Sequence, residues 1–464
     1  MLTAIAGSIH FWRYDLDDGF ILSHYAGNLA KGRGWVFNIG ENYNASTSVL
    51  NTVLSAALTV PIGDPRVVGH LVGAAGILTA GICFFYILRA QMSVLTAAVS
   101  AVGLEWFLAW SRTVGLETNL WIALFFAFVL LEMKKRNTWY LLGVLVLARP
   151  DLLLLAGARV GVFIYRRRRI PVTGISQMTV VLLPWVIYSL LRFHQVLPAT
   201  LRQKMWQGRT GLWGTRPVYL RGFYIYLRAL LSSFSTIPGG RRLATAAIAY
   251  LCLMGIRAMY LRRSPLLTFV GFVAAQQLAY VFLEVPNYRW YYVPAGTAAY
   301  VVGIYGVFSL LAAAGARRWP LPLQGLGGAS SLAGLTSLAL ILSRPTAVNP
   351  QVEAYRNLSH EIVVNGYPGR IAMTEVGTVA YYTDRRMLDI TGLTNREPEF
   401  MTGRHSDRFF ELSPEIVVLW KPDFPLEMAV FKDSRFGPLY GEPVRILHTP
   451  GFQWDLAIYL KRSK

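Results

Sequence analysis

The sequence carries little charge for its length. Only 15% of its 464 residues are Asp, Glu, Lys or Arg, whereas 54% are hydrophobic. An average soluble domain has about 25% charged residues. The deficit excludes an ordinary water-soluble domain and indicates a chain that lies largely in lipid.

Residues that build disulfide frameworks and metal centres are also scarce. The two cysteines, Cys83 and Cys252, each lie within an apolar stretch, where a small core side chain is the expected role. The histidines are scattered singly, without the spacing of a zinc site. The sequence also lacks an internal repeat, which argues against a solenoid and against a transporter built from repeats.

The net charge of +20 comes from short basic runs between apolar segments. Such runs are typical of cytoplasmic anchoring loops, and no basic helix with interleaved aromatic residues is present, so nucleic-acid binding is not expected. Placing the main runs on the cytoplasmic side gives an alternation of spans that leaves the C-terminal tail outside, together with the pair Arg241 and Arg242. The main basic runs are 134–136, 166–169, 262–263 and 317–318.

Apolar segments near the length needed to cross a bilayer recur along the first 343 residues. They predict an all-α polytopic transmembrane bundle of about 10–11 spans, of which the first, 1–11, is short, as if truncated or preceded by an upstream start. Residues 12–66 would form the first outer loop. The predicted helices are 67–88, 94–110, 119–133, 139–147, 152–165, 172–191, 243–260, 266–283, 292–311 and 323–342.

The composition changes after residue 343, where apolar runs shorten and Glu, Asp, Asn and Pro become frequent. We therefore predict a membrane domain at 1–343 and an extracytoplasmic α/β domain at 344–464. The short apolar runs of this second domain are 361–364, 370–374, 378–382, 387–390, 415–420, 444–447 and 456–460.

Two adjacent carboxylates stand out in the first outer loop. Asp17 and Asp18 follow a membrane segment and precede a helical stretch at 20–30. The pair can bind a divalent cation or supply one general base. It can also do no more than cap the helix that follows.

Further charged residues are predicted on the same outer side. Glu117 begins a span, where the helix dipole alone favours a carboxylate. Arg149 and Asp151 interrupt an apolar hairpin; ionisable groups at such a place are functional or neutralise each other.

Cations and aromatic residues complete this outer set. Arg202 and Lys204 follow a span, where they can hold a phosphate group or anchor the chain in lipid. Tyr288 and Arg289 belong to a cationic and aromatic cluster at a helix entrance, which can bind substrate or form part of the interfacial aromatic belt.

Taken in order, these motifs resemble bacterial polytopic glycosyltransferases of the GT-C superfamily, related to mycobacterial cell-wall arabinofuranosyltransferases and to protein mannosyltransferases. The resemblance covers nearly the whole chain and lies in the ordered set of motifs. They are Tyr14-Asp15-Leu16-Asp17-Asp18-Gly19, Gly115-Leu116-Glu117-Thr118, Arg149-Pro150-Asp151, Leu197-Pro198-Ala199-Thr200 with Lys204, Tyr288-Arg289-Trp290, and the tail segments 374–384 and 389–394.

The resemblance implies a plasma-membrane enzyme that moves a sugar from a polyprenyl-phosphate carrier to a glycan, lipid or protein acceptor on the outer face. Asp17 would deprotonate the acceptor hydroxyl, while Asp18 orients it or holds a divalent cation. Lys204, with Arg202 or Arg289, would stabilise the leaving phosphate. One base without a nucleophile predicts inversion at the anomeric carbon. The implied substrate-binding residues are Glu117, Arg149, Asp151, Arg202, Lys204, Tyr288 and Arg289.

Two other classes of protein share part of this pattern. A transporter or flippase of a lipid-linked or anionic substrate would have the same spans and interfacial cations, but is expected to place polar residues midway along its helices. A membrane scaffold or receptor would use the tail as its binding domain and would not need Asp17 and Asp18.

Overall fold

The computed structural model describes residues 2–212, 214–230, 240–313, 348–395, 405–422 and 424–462. The chain divides into two compact units. The first comprises Met1–Phe11, Gly73–Leu183 and Trp213–Thr346, and the second comprises Trp12–Val72, Pro184–Leu212 and Ala347–Lys464. The predicted boundary between residues 343 and 344 lies outside the described residues, and the division into a membrane domain and an outer domain stays a prediction.

Helices follow the apolar runs of the sequence closely. Among the residues that the structure describes, four helices are long and apolar enough to cross a membrane, namely Pro65–Arg89, Val172–Phe193, Arg242–Leu261 and Arg289–Leu310. The helices up to residue 313 are α1 (Leu2–His10), α2 (Asp17–Ala30), α3 (Val49–Ile62), α4 (Pro65–Arg89), α5 (Val94–Trp110), α6 (Thr118–Met133), α7 (Trp139–Ala148), α8 (Leu153–Arg167), α9 (Val172–Phe193), α10 (Thr200–Arg209), α11 (Val218–Leu230), α12 (Gly240–Leu261), α13 (Leu267–Phe282) and α14 (Val293–Ala313).

The observed helices match the predicted spans between residues 67 and 311 to within a few residues at each end. The match arises because long apolar stretches leave the backbone few ways to satisfy its hydrogen bonds in lipid other than a helix. Helix α9 keeps apolar side chains such as Val180 and Leu191 exposed, as a lipid-facing helix does. The predicted span 323–342 lies outside the described residues.

Helices α2 and α3 both belong to the second unit and pack against each other. The side chain of Ser48 accepts a hydrogen bond from the backbone N–H of Asn51 and so caps the start of α3. Gly63 ends α3 in the left-handed conformation at φ 89°, where a side chain would be strained.

The C-terminal segment forms a five-stranded mixed sheet in the order β2-β1-β3-β5-β4. Strand β1 pairs in parallel with β2 and with β3, whereas β5 is antiparallel to β3 and β4. The elements are α15 (Pro350–Val364), β1 (Ile371–Met373), α16 (Gly377–Thr383), β2 (Met387–Asp389), α17 (His405–Leu412), β3 (Ile416–Lys421), α18 (Pro425–Phe431), α19 (Phe436–Tyr440), β4 (Arg445–Leu447) and β5 (Asp455–Leu460).

Both faces of the sheet are buried at its centre, so the central strands β1, β3 and β5 are apolar except for Lys421 and Asp455 at the strand ends. Ile371, Met373 and Val418 lie in one buried cluster. Ala372 and Val417, one residue out of phase, lie in another. Of the seven short apolar runs, 361–364 and 378–382 are helical and the other five are strands, which agrees with the predicted α/β or mixed sheet.

Candidate active site

The carboxylate of Asp17 binds the start of helix α16. One oxygen accepts a hydrogen bond from the backbone N–H of Gly377 at 2.9 Å. The other accepts two from Thr378, through the backbone N–H and the hydroxyl, each at 2.7 Å. A Cβ at position 377 would lie 2.2 Å from the backbone oxygen of Asp17, so only glycine fits there. Asp17 therefore caps α16, a helix that begins 360 residues later in the chain.

Asp17 does not cap its own helix. The N-cap residue of α2 is Leu16, and no side chain caps that end. Burial raises the pKa of the Asp17 carboxyl to about 6, against its three hydrogen bonds, which lower it. At neutral pH Asp17 is an ionised, buried group whose two oxygens are already engaged.

Asp18 has the open carboxylate of the pair. Its side chain is 30% exposed, and its Oδ2 lies 3.5 Å from the Nζ atom of Lys204, whose side chain is only 8% exposed. At this distance the two groups form an ion pair and not a short hydrogen bond. The structure thus brings together two of the predicted site residues, one acidic and one basic.

Arg202 does not join this pair on helix α10. It lies two residues before Lys204, about 200° away around the helix axis. Arg202 is exposed, whereas Lys204 is buried. Helix α10 therefore presents Lys204 and not both cations to Asp18.

Glu375 is a site residue that sequence reasoning missed. It follows β1 at the carboxyl end of the parallel strands, the edge at which open α/β sheets usually bind ligands. Its φ of 56° is in the left-handed region. The side-chain amide of Gln351 and, at 3.5 Å, the hydroxyl of Tyr355 donate to one carboxylate oxygen.

The surroundings of Glu375 favour the neutral form of its carboxyl group. Burial raises the pKa of Glu375 well above its ordinary value, and the negative charges of Asp17 and Asp18 raise it further. The positive charge of Lys204 acts in the opposite direction. An acidic residue directly after a buried strand, in Thr374-Glu375-Val376-Gly377, is the signal that points to this group.

We expect Glu375 to make the stability of the chain fall as the pH rises. A carboxyl group whose pKa is raised in the folded state stabilises fully below its unfolded pKa of about 4.3, and this contribution is lost as the pH rises toward the folded pKa. Glu375→Gln keeps the neutral shape and removes this dependence. The melting temperature in detergent, taken as variant minus native chain, should therefore be higher at pH 8 than at pH 5.

The exposed Glu411 provides a control, because its side chain is 64% exposed. The melting temperature of Glu411→Gln should differ from that of the native chain by the same amount at both pH values. A pH-independent difference for Glu375→Gln would show that the buried carboxyl is not neutral.

A second buried carboxylate, Asp15, anchors the segment before α2. It receives hydrogen bonds from His70 at 2.7 Å, Arg66 at 3.0 Å and Arg356 at 2.5 Å. Burial alone would raise the pKa of Asp15, but these partners lower it below its ordinary value. Asp15 thus ties the first loop to α4 and α15, and it positions Asp17 and Asp18 without contacting them.

A separate cluster in the first unit joins three predicted residues. Arg149 pairs with Glu117 at 2.9 Å and with Asp151 at 3.1 Å. The hydroxyl of Tyr280 accepts a hydrogen bond from Arg149 and donates one to Asp151. Gln276 donates to Asp151 at 2.7 Å. Sequence reasoning found the charged residues of this cluster but not Tyr280 and Gln276.

The aromatic residues around Arg289 also lie in the first unit. Tyr288 stacks on Trp290 with ring centroids 4.8 Å apart. Tyr291 contacts the ring of Tyr280 at 5.2 Å, and the guanidinium of Arg149 lies 6.0 Å from the Tyr291 ring. Tyr288 and Arg289 therefore neighbour the Arg149 cluster. Arg289 and Lys204 belong to different units, so their joint action on a phosphate stays a prediction.

The possible cation at Asp17 and Asp18 also stays a prediction. Within the part of the chain that the structure describes, no group of three or more His, Cys, Asp or Glu side chains could hold a metal ion. Both oxygens of Asp17 accept hydrogen bonds, and Asp18 faces an ammonium group. This donor set does not fit a divalent cation, which takes several oxygen ligands.

Three solved structures resemble this chain in fold. Two structures of ArnT from Cupriavidus metallidurans, bound to undecaprenyl phosphate and in the apo state, match with TM-scores of 0.55 and 0.52 at 14% sequence identity. They cover 99% and 98% of this chain, and 96% and 95% of the ArnT chain. The chain has the GT-C fold. The predicted helical bundle with a C-terminal α/β domain is thereby confirmed.

A third solved structure extends the GT-C likeness. It is an oligosaccharyltransferase from Archaeoglobus fulgidus in a complex with zinc and sulfate, with a TM-score of 0.53 at 12% identity. The match covers 98% of this chain and 72% of the oligosaccharyltransferase chain. Sequence comparison adds little, because residues 350–454 match a domain of unknown function, DUF8728. None of the curated proteins matches the sequence significantly.

Proposed function

We propose that the chain is an inverting glycosyltransferase that moves a sugar from a polyprenyl-phosphate donor to a hydroxyl of a cell-envelope acceptor on the outer face of the plasma membrane. The observation that carries this proposal is the pairing of Asp18 with Lys204 at 3.5 Å. It supplies one open carboxylate and one buried cation in a chain with the GT-C fold. ArnT, which shares this fold, has been solved with undecaprenyl phosphate bound.

Asp18 acts as the general base in this proposal. Its carboxylate removes the proton from the acceptor hydroxyl as the hydroxyl oxygen attacks the anomeric carbon of the donor sugar. The bond between the anomeric carbon and the phosphate oxygen breaks, and the polyprenyl phosphate leaves with one more negative charge. Asp18 is preferred over Asp17, the residue that the resemblance implies, because both oxygens of Asp17 are engaged by Gly377 and Thr378.

Lys204 stabilises the phosphate that leaves. A buried ammonium group interacts with developing negative charge more strongly than an exposed one, because water screens it less. In the structure without a donor, Lys204 faces Asp18. A donor phosphate that competes for Lys204 weakens this ion pair and leaves the carboxylate of Asp18 available to the acceptor hydroxyl.

The same geometry favours inversion. Retention by double displacement needs a carboxylate that is free to attack the anomeric carbon and form a covalent intermediate. Asp17 is adjacent but committed to the start of α16, and burial keeps Glu375 neutral. A single direct displacement therefore fits these residues better than a covalent intermediate.

A transfer assay tests the proposal. The purified chain in detergent is given radiolabelled polyprenyl-phosphate pentoses and hexoses with a cell-envelope extract as acceptor, and the anomeric configuration of the product is determined by NMR. Lys204→Gln should lower the rate by at least about 10²-fold, since it removes the charge opposite the leaving phosphate. Lys432→Gln, at an exposed lysine of the same unit, should leave the rate unchanged. Equal rates for the two variants, or a retained configuration, would refute this mechanism.

A transporter or flippase stays the second candidate because buried polar side chains do occur within apolar helices. Glu105 is 3% exposed in α5, and Gln276 is 1% exposed in α13. Such residues within spans are typical of transport pathways. Proteoliposomes distinguish the two functions: movement of the lipid-linked sugar across the bilayer without any transfer product would favour transport.

A further inference from the structure

A cavity of about 550 Å³ opens on the flank of helix α2 in the second unit. This volume is within the range of about 300–1,000 Å³ that is usual for small-molecule sites. Ser23, Gly27 and Lys31 recur at four-residue spacing and form one wall. The opposite walls come from the end of α3 and from Tyr381, Tyr382 and Asp384. Asp18 and Lys204 do not line it.

The cavity contains a rigid aromatic corner. The rings of Tyr381 and Tyr382 are 5.1 Å apart and nearly perpendicular. Phe20 packs behind both, at 5.1 and 5.6 Å. Tyr382 is 42% exposed. An exposed aromatic face of this kind offers a large apolar surface, against which the C–H face of a saturated ring can pack.

Neutral hydrogen-bonding groups lie beside the aromatic corner. The Nε2 atom of His24 bonds to the backbone oxygen of Phe37 at 3.1 Å. Burial lowers the pKa of His24 to about 4, so its ring is neutral; with Nε2 as the donor, Nδ1 is an acceptor. The hydroxyl of Ser23 can both donate and accept. These groups match the hydroxyl rim of a ring that also presents a C–H face.

The charged side chains of the cavity are compensated by their neighbours. Asp384 accepts hydrogen bonds from Arg33 at 2.8 Å and lies 3.9 Å from the Nζ atom of Lys31. Asp64 accepts from the hydroxyl of Tyr381 at 2.6 Å and from the backbone N–H of Arg66 at 2.8 Å. The charges of the cavity are thus already paired, and a neutral ligand leaves these pairs intact.

We propose that this cavity binds a neutral saccharide at a site distinct from the Asp18–Lys204 pair. The aromatic corner takes the C–H face of a sugar ring, and Ser23 and His24 bind its hydroxyls. Binding at this cavity requires no transfer step, so the inference goes beyond the proposed glycosyl transfer and does not depend on it.

Ligand-observed NMR on the full chain in detergent tests this inference. The probes are neutral trisaccharides of arabinose, mannose and glucose, with inorganic phosphate as a competitor. We expect saturation transfer to at least one trisaccharide, and no displacement by phosphate. Tyr382→Ala should weaken this binding by about tenfold, because it removes the aromatic face. Ser23→Phe should abolish it by filling the cavity.

Two controls keep the test decisive. Tyr140→Ala removes an exposed tyrosine outside the cavity and should not change binding. Asp18→Asn should bind the trisaccharide normally even where transfer is lost, which separates this site from the proposed chemistry. Tyr382→Ala, at an exposed position, serves where Ser23→Phe fails to fold. The inference is overturned if no trisaccharide binds, if phosphate displaces it, or if Tyr382→Ala binds like the native chain.

Discussion

Asp18→Asn should lower the rate of sugar transfer by about 10²–10⁴-fold, the range expected when a general base is removed. The amide keeps the shape of the side chain but cannot accept the proton of the acceptor hydroxyl. Because the side chain of Asp18 is 30% exposed and pairs with Lys204 at 3.5 Å, the variant should fold normally. Initial rates of transfer from a polyprenyl-phosphate sugar, measured with saturating acceptor, give the loss in kcat directly.

The matched variant Asp17→Asn separates positioning from proton removal. Its amide would place an N–H group against the N–H groups of Gly377 or Thr378, which leaves a buried donor unsatisfied. We expect a loss of about 1–3 kcal/mol in the free energy of unfolding, together with a lower rate. Asp18→Asn should stay within about 0.5 kcal/mol of the native chain. A stable but inactive Asp17→Asn, beside an active Asp18→Asn, would return the role of base to Asp17.

Asp17 holds α16 and Asp18 is the proposed base because their side chains point in different directions at the start of α2. Adjacent residues on a helix differ by about 100°, so one carboxylate can be buried against a neighbouring element while the next stays open. Asp17 meets the tail of the chain, whereas Asp18 meets Lys204. Glu375 is buried, and its raised pKa favours the neutral form, so it lies beside the two aspartates without adding a third negative charge.

The helices could be predicted from the sequence because their signal is local. Long apolar runs between basic or turn residues determined α4 to α9 and α12 to α14 within a few residues. The short runs of the tail were harder to interpret. Residues 378–382 and a strand such as 416–421 have similar composition, and only packing against both faces of the sheet separates helix from strand.

The site was only partly predictable because its partners are distant in sequence. Asp17 and Asp18 stand out as adjacent carboxylates. The donors that bind Asp17 lie 360 residues away, and the sequence around position 17 does not predict them. Arg202 and Lys204 look equivalent in sequence. They lie about 200° apart around the axis of α10, so Lys204 is buried and Arg202 is exposed. Glu375 was within a motif that carried the resemblance, but its neutral form depends on burial.

Arg149→Met should destabilise the chain by about 3–5 kcal/mol, the usual cost of removing one partner from a buried ion pair. Arg149 is 12% exposed at its side chain and pairs with both Glu117 and Asp151. Without it, two carboxylates of low exposure lose the guanidinium group that pairs with both of them. Thermal or denaturant unfolding of the purified chain in detergent measures the loss.

The stability of Arg149→Met distinguishes two roles for this cluster, mutual neutralisation of its charges and binding of substrate. Arg159→Met is the matched control, since Arg159 pairs with Glu132 at 2.8 Å but both side chains are more exposed, at 35% and 25%. It should cost no more than about 1 kcal/mol. Neutralising both carboxylates, as Arg149→Met with Glu117→Gln and Asp151→Asn, should recover most of the stability, because no unpaired charge remains buried. If Arg149→Met is instead as mild as Arg159→Met while transfer is abolished, the predicted substrate-binding role of Glu117, Arg149 and Asp151 is favoured over mutual neutralisation.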